Sequence, residues 1–231
     1  MTVAETPLAP FGPDIWVKRV PLRFFTFPMG ARMTVIRLPG DALFVHSPVK
    51  LTPETRKAVD SLGLVRFLVA PNRLHHLFIG DWAAAFPEAE LWGVRDLMRK
   101  RADLRWTGVL RDAPEPGWAG AIDQAILSSW FQDEAVFCHH ASKTLIVVDF
   151  LESVWPEDSW HYRLFARAAG TWKRATTTYD QRPTFRNRAK LRGTVRRILG
   201  WDFERIVLAH GRLIEADGKA EFRKGVAWLR P

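Results

Sequence analysis

The 231-residue sequence has a single cysteine, Cys138, and only two tyrosines beside eleven tryptophans. One cysteine cannot form a disulfide within the chain, which fits a reducing compartment. The N-terminal stretch MTVAETPLAPFGPD lacks the basic start, apolar middle and cleavage site of a secretory signal, so we expect a cytoplasmic protein. The longest apolar runs, such as TLIVVDFL, have the length of buried strands, and we expect no transmembrane segment.

Motifs of several common enzyme classes are also missing. The sequence contains neither a P-loop nor a Gly-x-Gly-x-x-Gly fingerprint, so no motif supports nucleotide binding. It has no Gly-x-Ser-x-Gly turn, which argues against a serine nucleophile. Any catalytic chemistry must therefore come from other residue types.

Positive charge is concentrated in one region, residues 163–200, which we call the basic segment. It contains eleven Lys or Arg and one acid, Asp180, so its net charge is +10. The rest of the chain sums to −1, which gives +9 for the whole sequence. A solvated helix face is the plainest interpretation. The functional interpretations are attraction of an anionic substrate, a nucleic-acid surface, or a patch for acidic lipids.

Hydrophobic periodicity predicts alternating strands and helices in both halves of the chain. The predicted strands are 14–20, 32–38, 42–48, 65–70, 89–93, 121–130, 135–140, 143–150 and 204–211. The predicted helices are 51–63, 78–86, 94–102, 155–170, 187–199 and 218–229. We expect an apolar stripe of Trp160, Leu164 and Ala168 on helix 155–170, and one of Leu191, Val195 and Ile198 on helix 187–199. The stretch 107–120, with two prolines and three glycines, reads as a loop.

The second half repeats the order of predicted elements of the first: strands, then helices, then a strand ending in histidine. We therefore expect one domain over residues 1–231 with pseudo-repeated halves of about 1–115 and 116–231. The predicted fold is α/β, an αββα sandwich of two packed mixed sheets with helices outside. Periodicity alone fits a single mixed sheet equally well.

Six of the seven histidines lie just after runs of β-type residues. They are His46, His75, His76, His139, His140 and His210. Asp149 follows TLIVV in the same way. Because α/β folds place ligands at strand ends, these imidazoles and the carboxylate are candidates for a zinc, manganese or iron site.

The order of four stretches resembles the metallo-β-lactamase superfamily, and most closely its branch called domain of unknown function 4336. These stretches are GDALFVHSPVKL, LVAPNRLHHLFIGDWAAAFPEAELWG, VFCHHASKTLIVVDF and RIVLAHG. The resemblance covers most of the chain and implies the αββα fold. It also implies a metal-dependent hydrolase whose metal ligands come from a His-x-His-x-Asp-His loop and later residues.

This sequence departs from that loop. If His76 matches the last histidine, His75 takes the place of the aspartate, and Pro71 and Arg73 take the places of two ligands. The resemblance further matches His140, Asp149 and His210 to later ligands. It thus implies one divalent metal whose ligands are drawn from His75, His76, His140, Asp149 and His210. Asp149 and His76 would take part in catalysis. The alternative is a site that has lost its metal.

Each of these residues also has a plainer interpretation. Adjacent side chains of an extended segment point to opposite faces, so there only one histidine of each pair would enter a given site, whereas at a helix start both could. The others would be turn histidines bonded to nearby backbone, and Asp149 could simply cap the next segment. His46 is a candidate to support the ligands, and His161 is expected on a helix surface.

Two functions follow as hypotheses. The first is a divergent hydrolase of an ester, thioester, lactone or phosphoester, acting on a small and possibly anionic molecule. The second is a degenerate, non-catalytic member of the fold that binds an anionic partner through the basic segment, including a nucleic acid or an acidic membrane surface.

Overall fold

The computed structural model describes residues 5–24 and 27–231. Residues 1–4 and 25–26, which the predicted domain includes, lie outside the described residues. The strands are β1 (Ala9–Gly12), β2 (Ile15–Val20), β3 (Arg23–Phe24), β4 (Phe27–Pro28), β5 (Ala31–Arg37), β6 (Ala42–His46), β7 (Leu64–Ala70), β8 (Glu90–Gly93), β9 (Gly108–Val109), β10 (Ile122–Ser128), β11 (Asp133–His139), β12 (Thr144–Val147) and β13 (Arg205–Leu208). The helices are α1 (Pro53–Asp60), α2 (Ile79–Ala85), α3 (Arg95–Lys100), α4 (Trp160–Ala169), α5 (Arg188–Gly200) and α6 (Gly218–Gly225).

The first sheet has seven strands in the order β1-β2-β5-β6-β7-β8-β9. Strands β1, β2, β5 and β6 pair antiparallel, and β6, β7, β8 and β9 pair parallel. Helices α1, α2 and α3 connect the successive parallel strands. The short strand β9 lies within the stretch predicted as a loop. Gly108 permits this pairing because a side chain there would collide with the ring of Trp92 on β8.

The second sheet has four strands in the order β10-β11-β12-β13. Strands β10, β11 and β12 pair antiparallel, whereas β12 and β13 pair parallel. Strands β3 and β4 form a separate two-stranded ribbon. Both large sheets are therefore mixed.

The main hydrophobic core lies between the two sheets. It joins buried residues of the first sheet, such as Val35 and Phe44, to Phe137 and Ile146 of the second, and the rings of Phe44 and Phe137 are 5.3 Å apart. A second core lies between the other face of the second sheet and helices α5 and α6. This arrangement confirms the prediction of two packed mixed sheets with helices outside.

Helix α5 follows its predicted pattern. The Asn187 side chain accepts a hydrogen bond from the Lys190 amide and caps the first turn. Leu191, Val195 and Ile198 are buried as the apolar stripe requires. The arginines between them lie on the outer side of the helix.

Helix α4 packs through a different face from the one predicted. Ser159 caps it at the Tyr162 amide, so it begins at Trp160, and it buries Tyr162, Ala166 and Ala169. The predicted stripe of Trp160, Leu164 and Ala168 is exposed. The reason is that Tyr162 and Ala166 pack with Val154 in a small core of their own. Among the described helices, none has the length and apolarity needed to cross a membrane.

Candidate metal centre

The ends of four strands supply the candidate site. Strands β6 and β7 run parallel, as do β12 and β13, so each pair ends at one edge of its sheet. Ser47 follows β6, residues 72–75 follow β7, Asp149 follows β12, and His210 follows β13. Loops at the carboxyl ends of parallel strands are the usual place for ligands in α/β folds.

His75, Asp149 and His210 come together at this edge. One side-chain atom from each residue lies within 4.8 Å of the other two. The distance from Asp149 Oδ1 is 3.1 Å to His75 Nε2 and 3.4 Å to His210 Nε2. The three side chains are only 6–8% exposed. Among the described residues this is the group whose donors fit a metal ion, and we call it the His-Asp-His group.

Contacts to Nδ1, the ring nitrogen that faces away from Asp149, orient both imidazoles. His210 Nδ1 is 2.9 Å from the Gly30 carbonyl oxygen, and because a carbonyl only accepts, Nδ1 must donate. With Nδ1 donating to this carbonyl, Nε2 is the ring nitrogen that faces Asp149. His75 Nδ1 is 2.9 Å from the Ser47 hydroxyl. Such supporting contacts are characteristic of histidines that bind metals.

Asn72 fixes the loop that carries His75. Its side-chain oxygen accepts hydrogen bonds from the amides of Leu74 and His75 at 2.9 and 2.8 Å. Its side-chain amide donates to Asp149 Oδ2 at 2.6 Å. The Gln132 amide nitrogen is 3.4 Å from the same oxygen. One carboxylate oxygen is thus held by amides while Oδ1 faces the two imidazoles.

Electrostatics favour an anionic Asp149. Burial would raise the pKa of this carboxyl, but His75 and His210 outweigh it and lower the pKa well below its usual value. An anionic carboxylate beside two imidazole nitrogens is a suitable environment for a divalent cation.

Glu134, at the start of β11, holds the Asp149 loop. Its carboxylate accepts hydrogen bonds from the amides of Val148, Asp149 and Phe150 at 2.9–3.0 Å. Burial and the charge of Asp149 raise the pKa of Glu134 to about 8, against the opposing effect of these amides. Sequence reasoning missed Glu134, Asn72, Ser47 and Gln132. The available signals were a carboxylate entering an apolar strand and an Asn at a strand end.

The His210 loop is held from the first sheet. The Arg32 guanidinium donates hydrogen bonds to the carbonyls of Leu208 and Gly211, on either side of His210. Gly211 has φ of +104°, and a Cβ there would lie 2.2 Å from the Ser153 carbonyl oxygen. Only glycine fits this turn without strain.

His76 lies outside the His-Asp-His group. Its Nδ1 is 3.4 Å from an Arg101 nitrogen, and its Nε2 is buried without a hydrogen-bond partner among the described residues. Burial, with Lys100 and Arg101, lowers the pKa of His76 to about 4. His46 is also buried, beside the Phe137 ring, and burial lowers its pKa to about 3. Both are neutral imidazoles at neutral pH.

The structure does not bring His140 to this group, contrary to the expectation from sequence. Strand β11 is antiparallel to β12, and His139 lies opposite Thr144 at the start of β12, whereas Asp149 follows the end of β12. Five residues of extended chain span about 16 Å. His140 instead contacts Asp123 at 2.9 Å and the Gly120 carbonyl oxygen at 2.9 Å, and it is exposed.

The donor set of the His-Asp-His group fits one divalent ion. Two imidazole nitrogens and one carboxylate oxygen are a common catalytic zinc set, in which a fourth position stays open for water or substrate. A second ion would need further ligands, and Pro71 and Arg73 supply none. The five residues predicted from sequence thus divide: three converge, and His76 and His140 do not join them. Metal binding itself stays a prediction.

Comparison with solved structures shows the same fold over nearly the whole chain. The metallo-β-lactamase DIM-1 matches with a TM-score of 0.66 and 12% identity over 98% of this chain and 99% of that one. The metallo-β-lactamase FIM-1 from Pseudomonas aeruginosa, solved in a mono-zinc form, has a TM-score of 0.62 and 10% identity over 99% and 96%.

A metal-soaked flavodiiron core from Synechocystis sp. PCC6803 matches with a TM-score of 0.65 and 12% identity over 99% of this chain. The chain spans 61% of that structure's length. The comparison with curated proteins found no match. At these identities the likeness establishes the fold alone.

The sequence comparison gives the family. The model described as Domain of unknown function (DUF4336) matches residues 14–184, which is well over half of the chain. With the metallo-β-lactamase fold established by structure, the chain belongs to the family of domain of unknown function 4336.

Proposed function

We propose that this protein is a divergent metal-dependent hydrolase that holds one divalent ion in the His-Asp-His group. The observation that supports it is the convergence of two imidazole nitrogens and one carboxylate oxygen within 4.8 Å. Zinc is the first choice for this donor set, with iron or manganese as alternatives. The substrate class is a small ester, thioester, lactone or phosphoester.

An ion bound there would supply Lewis acidity and lower the pKa of a water molecule. The chain's own residues do the positioning. Gly30 and Ser47 orient the imidazoles, and Asn72 and Gln132 hold Asp149 so that one carboxylate oxygen faces them. The proposed ligand set is narrower than the sequence-based one, because His76 and His140 lie outside the group.

A small cavity adjoins Asp149. It is lined by Gln132, Glu134 and Phe131 among others, and its volume is about 20 Å³, sufficient for one water molecule. The lining is mixed, with Phe150 and Phe185 beside the polar side chains. The cavity therefore offers a water-sized space next to Asp149.

Metal analysis of protein purified without added metal or chelator tests the proposal. We expect close to one equivalent of zinc, iron or manganese, lost in a His75→Ala, His210→Ala double variant. His140→Ala is the matched control and should retain the metal, since its ring lies elsewhere. Absence of metal even after reconstitution, or equal loss in the control, would overturn the proposal.

A second candidate function is supported by a separate observation. Of the eleven cations in the basic segment, only Arg197 forms an ion pair within the described residues, with Asp112 at 2.8 Å. Several others lie over aromatic rings instead, for example Arg167 over Trp172 at 4.3 Å. Such unneutralised charge supports a non-catalytic member of the fold that binds an anionic partner.

Binding of a fluorescent oligothymidylate and of acidic lipid vesicles tests this second function. We expect the apparent affinity to fall steeply with salt, and to fall further in an Arg188→Glu, Arg196→Glu variant. Affinity that is absent at low salt, or independent of these two arginines, would contradict it.

A further inference from the structure

The turn between β10 and β11 presents two large aromatic rings to solvent. Trp130 is 62% exposed and Phe131 is 41% exposed, and their ring centroids are 6.2 Å apart in an edge-on arrangement. The turn is held firmly. The Ser129 hydroxyl oxygen accepts from the amides of Phe131 and Gln132, and the Trp130 amide donates to the Thr184 carbonyl oxygen at 3.1 Å.

This turn lies directly beside the His-Asp-His group. Gln132, the next residue, approaches Asp149 Oδ2 at 3.4 Å. Phe131 and Gln132 line the same small cavity as Asp149. Phe131 and Gln132 therefore connect the exposed rings to Asp149, a proposed metal ligand.

Two cations flank the rings. The Arg73 guanidinium lies 5.6 Å from the Phe131 ring centroid and donates to the Phe131 carbonyl oxygen. The Arg186 guanidinium lies 5.6 Å from the Trp130 ring centroid. No ion pair neutralises either arginine within the described part of the chain. Arg73 belongs to the same loop as His75, so this cation is positioned with the group itself.

We propose that Arg73, Trp130, Phe131 and Arg186, the aromatic rim, bind an aryl group with an anionic substituent on the substrate. The inference rests on the proposed hydrolase function. Exposed ring faces and edges suit a planar group, and guanidinium groups suit a carboxylate or phosphate oxygen.

Calorimetric titration of the intact protein with phenyl phosphate, inorganic phosphate and phenol tests the rim. We expect phenyl phosphate to bind about tenfold more tightly than either fragment. Trp130→Ala and Arg186→Ala should each weaken it about three- to tenfold, as expected for losing one stacking or charged contact.

Matched controls exist elsewhere on the surface. Trp160 is 61% exposed on α4, and Arg223, outside the basic segment, is exposed on α6; their alanine variants should leave the affinity unchanged. Equal affinity for phenyl phosphate and inorganic phosphate would overturn the rim, as would equal weakening in the controls.

The His75→Ala, His210→Ala variant separates this proposal from the hydrolase proposal. We expect it to lose the metal but to keep the preference for phenyl phosphate, because the rim is intact. Loss of that preference in this variant would overturn the rim as an independent site. A wild-type protein that shows the preference but holds no metal even after reconstitution would overturn only the hydrolase proposal.

Discussion

The two His-His pairs of this chain show how differently one motif can be used. Each pair lies at or after the end of a strand: His75 and His76 come after β7, and His139 ends β11 with His140 next to it. In the first pair, His75 meets a buried carboxylate and a second imidazole. In the second, His140 meets one exposed carboxylate, Asp123, and His139 turns inward to the Ser142 hydroxyl at 2.8 Å.

Strand direction explains the difference. The carboxyl end of β7 lies at the edge where its parallel neighbours also end, so several loops converge there. The carboxyl end of β11 lies at the opposite edge from that of β12, within a tight hairpin. A histidine after a strand is therefore a strong site candidate only when neighbouring strands run the same way.

The largest effect on stability is expected at two glycines, Gly211 next to His210 and Gly120, whose carbonyl oxygen contacts His140. Gly211→Ala places a Cβ 2.2 Å from the Ser153 carbonyl oxygen at φ +104°, so we expect a loss of about 3 kcal/mol in unfolding free energy. Gly120→Ala is the control, since φ is +85° but nothing lies within 4 Å; it should cost about 1 kcal/mol. Urea denaturation measures both, and equal losses would contradict the account.

An intermediate effect is expected from the pH dependence of stability. Burial lowers the pKa of His139 to about 4 from 6.5. The unfolded state therefore gains a proton below about pH 6.5 that the folded state does not accept until about pH 4, and stability falls as pH falls through this window. His139→Gln should flatten that slope by up to about 1.4 kcal/mol per pH unit.

Thermal unfolding of the wild type and of His139→Gln between pH 4 and 7 measures this slope. The same slope in both proteins would contradict a buried, neutral His139 imidazole.

The smallest effect is expected at the ion pair of His140. Asp123→Asn removes a contact whose two side chains are 43% and 38% exposed. Exposed pairs contribute little, so the change in unfolding free energy should stay below about 1 kcal/mol. Denaturant titration in low and high salt would measure it, and a loss of several kcal/mol would show that this pair stabilises the hairpin more than its exposure suggests.

Much of the fold was accessible from sequence because it depends on periodicity. The strand and helix order and the buried stripe of α5 follow from hydrophobic spacing. The exposed stripe of α4 was mispredicted, because spacing shows an apolar face but not whether another element covers it. The first histidine pair divides, since His75 joins Asp149 and His210 and His76 does not, whereas neither His139 nor His140 enters the group.

The candidate site was accessible only in part. Sequence placed His75, Asp149 and His210 at strand ends, where the structure brings them together. It could not show which histidine of the first pair joins Asp149, because the hydrogen bonds of the Asn72 side chain to the amides of Leu74 and His75 shape that loop. It also could not exclude His140, since antiparallel pairing of β11 is a property of the sheet rather than of the strand.

The bond from His210 to the Gly30 carbonyl oxygen spans 180 residues, and it has a consequence for biosynthesis. During translation, the residues of the first sheet leave the ribosome long before His210 does, and the complete group cannot form until His210 follows. An ion that requires both histidines would bind only the fully docked chain and would shift the equilibrium towards it by mass action. The supply of metal would then influence the last step in the folding of this protein, the docking of the His210 strand.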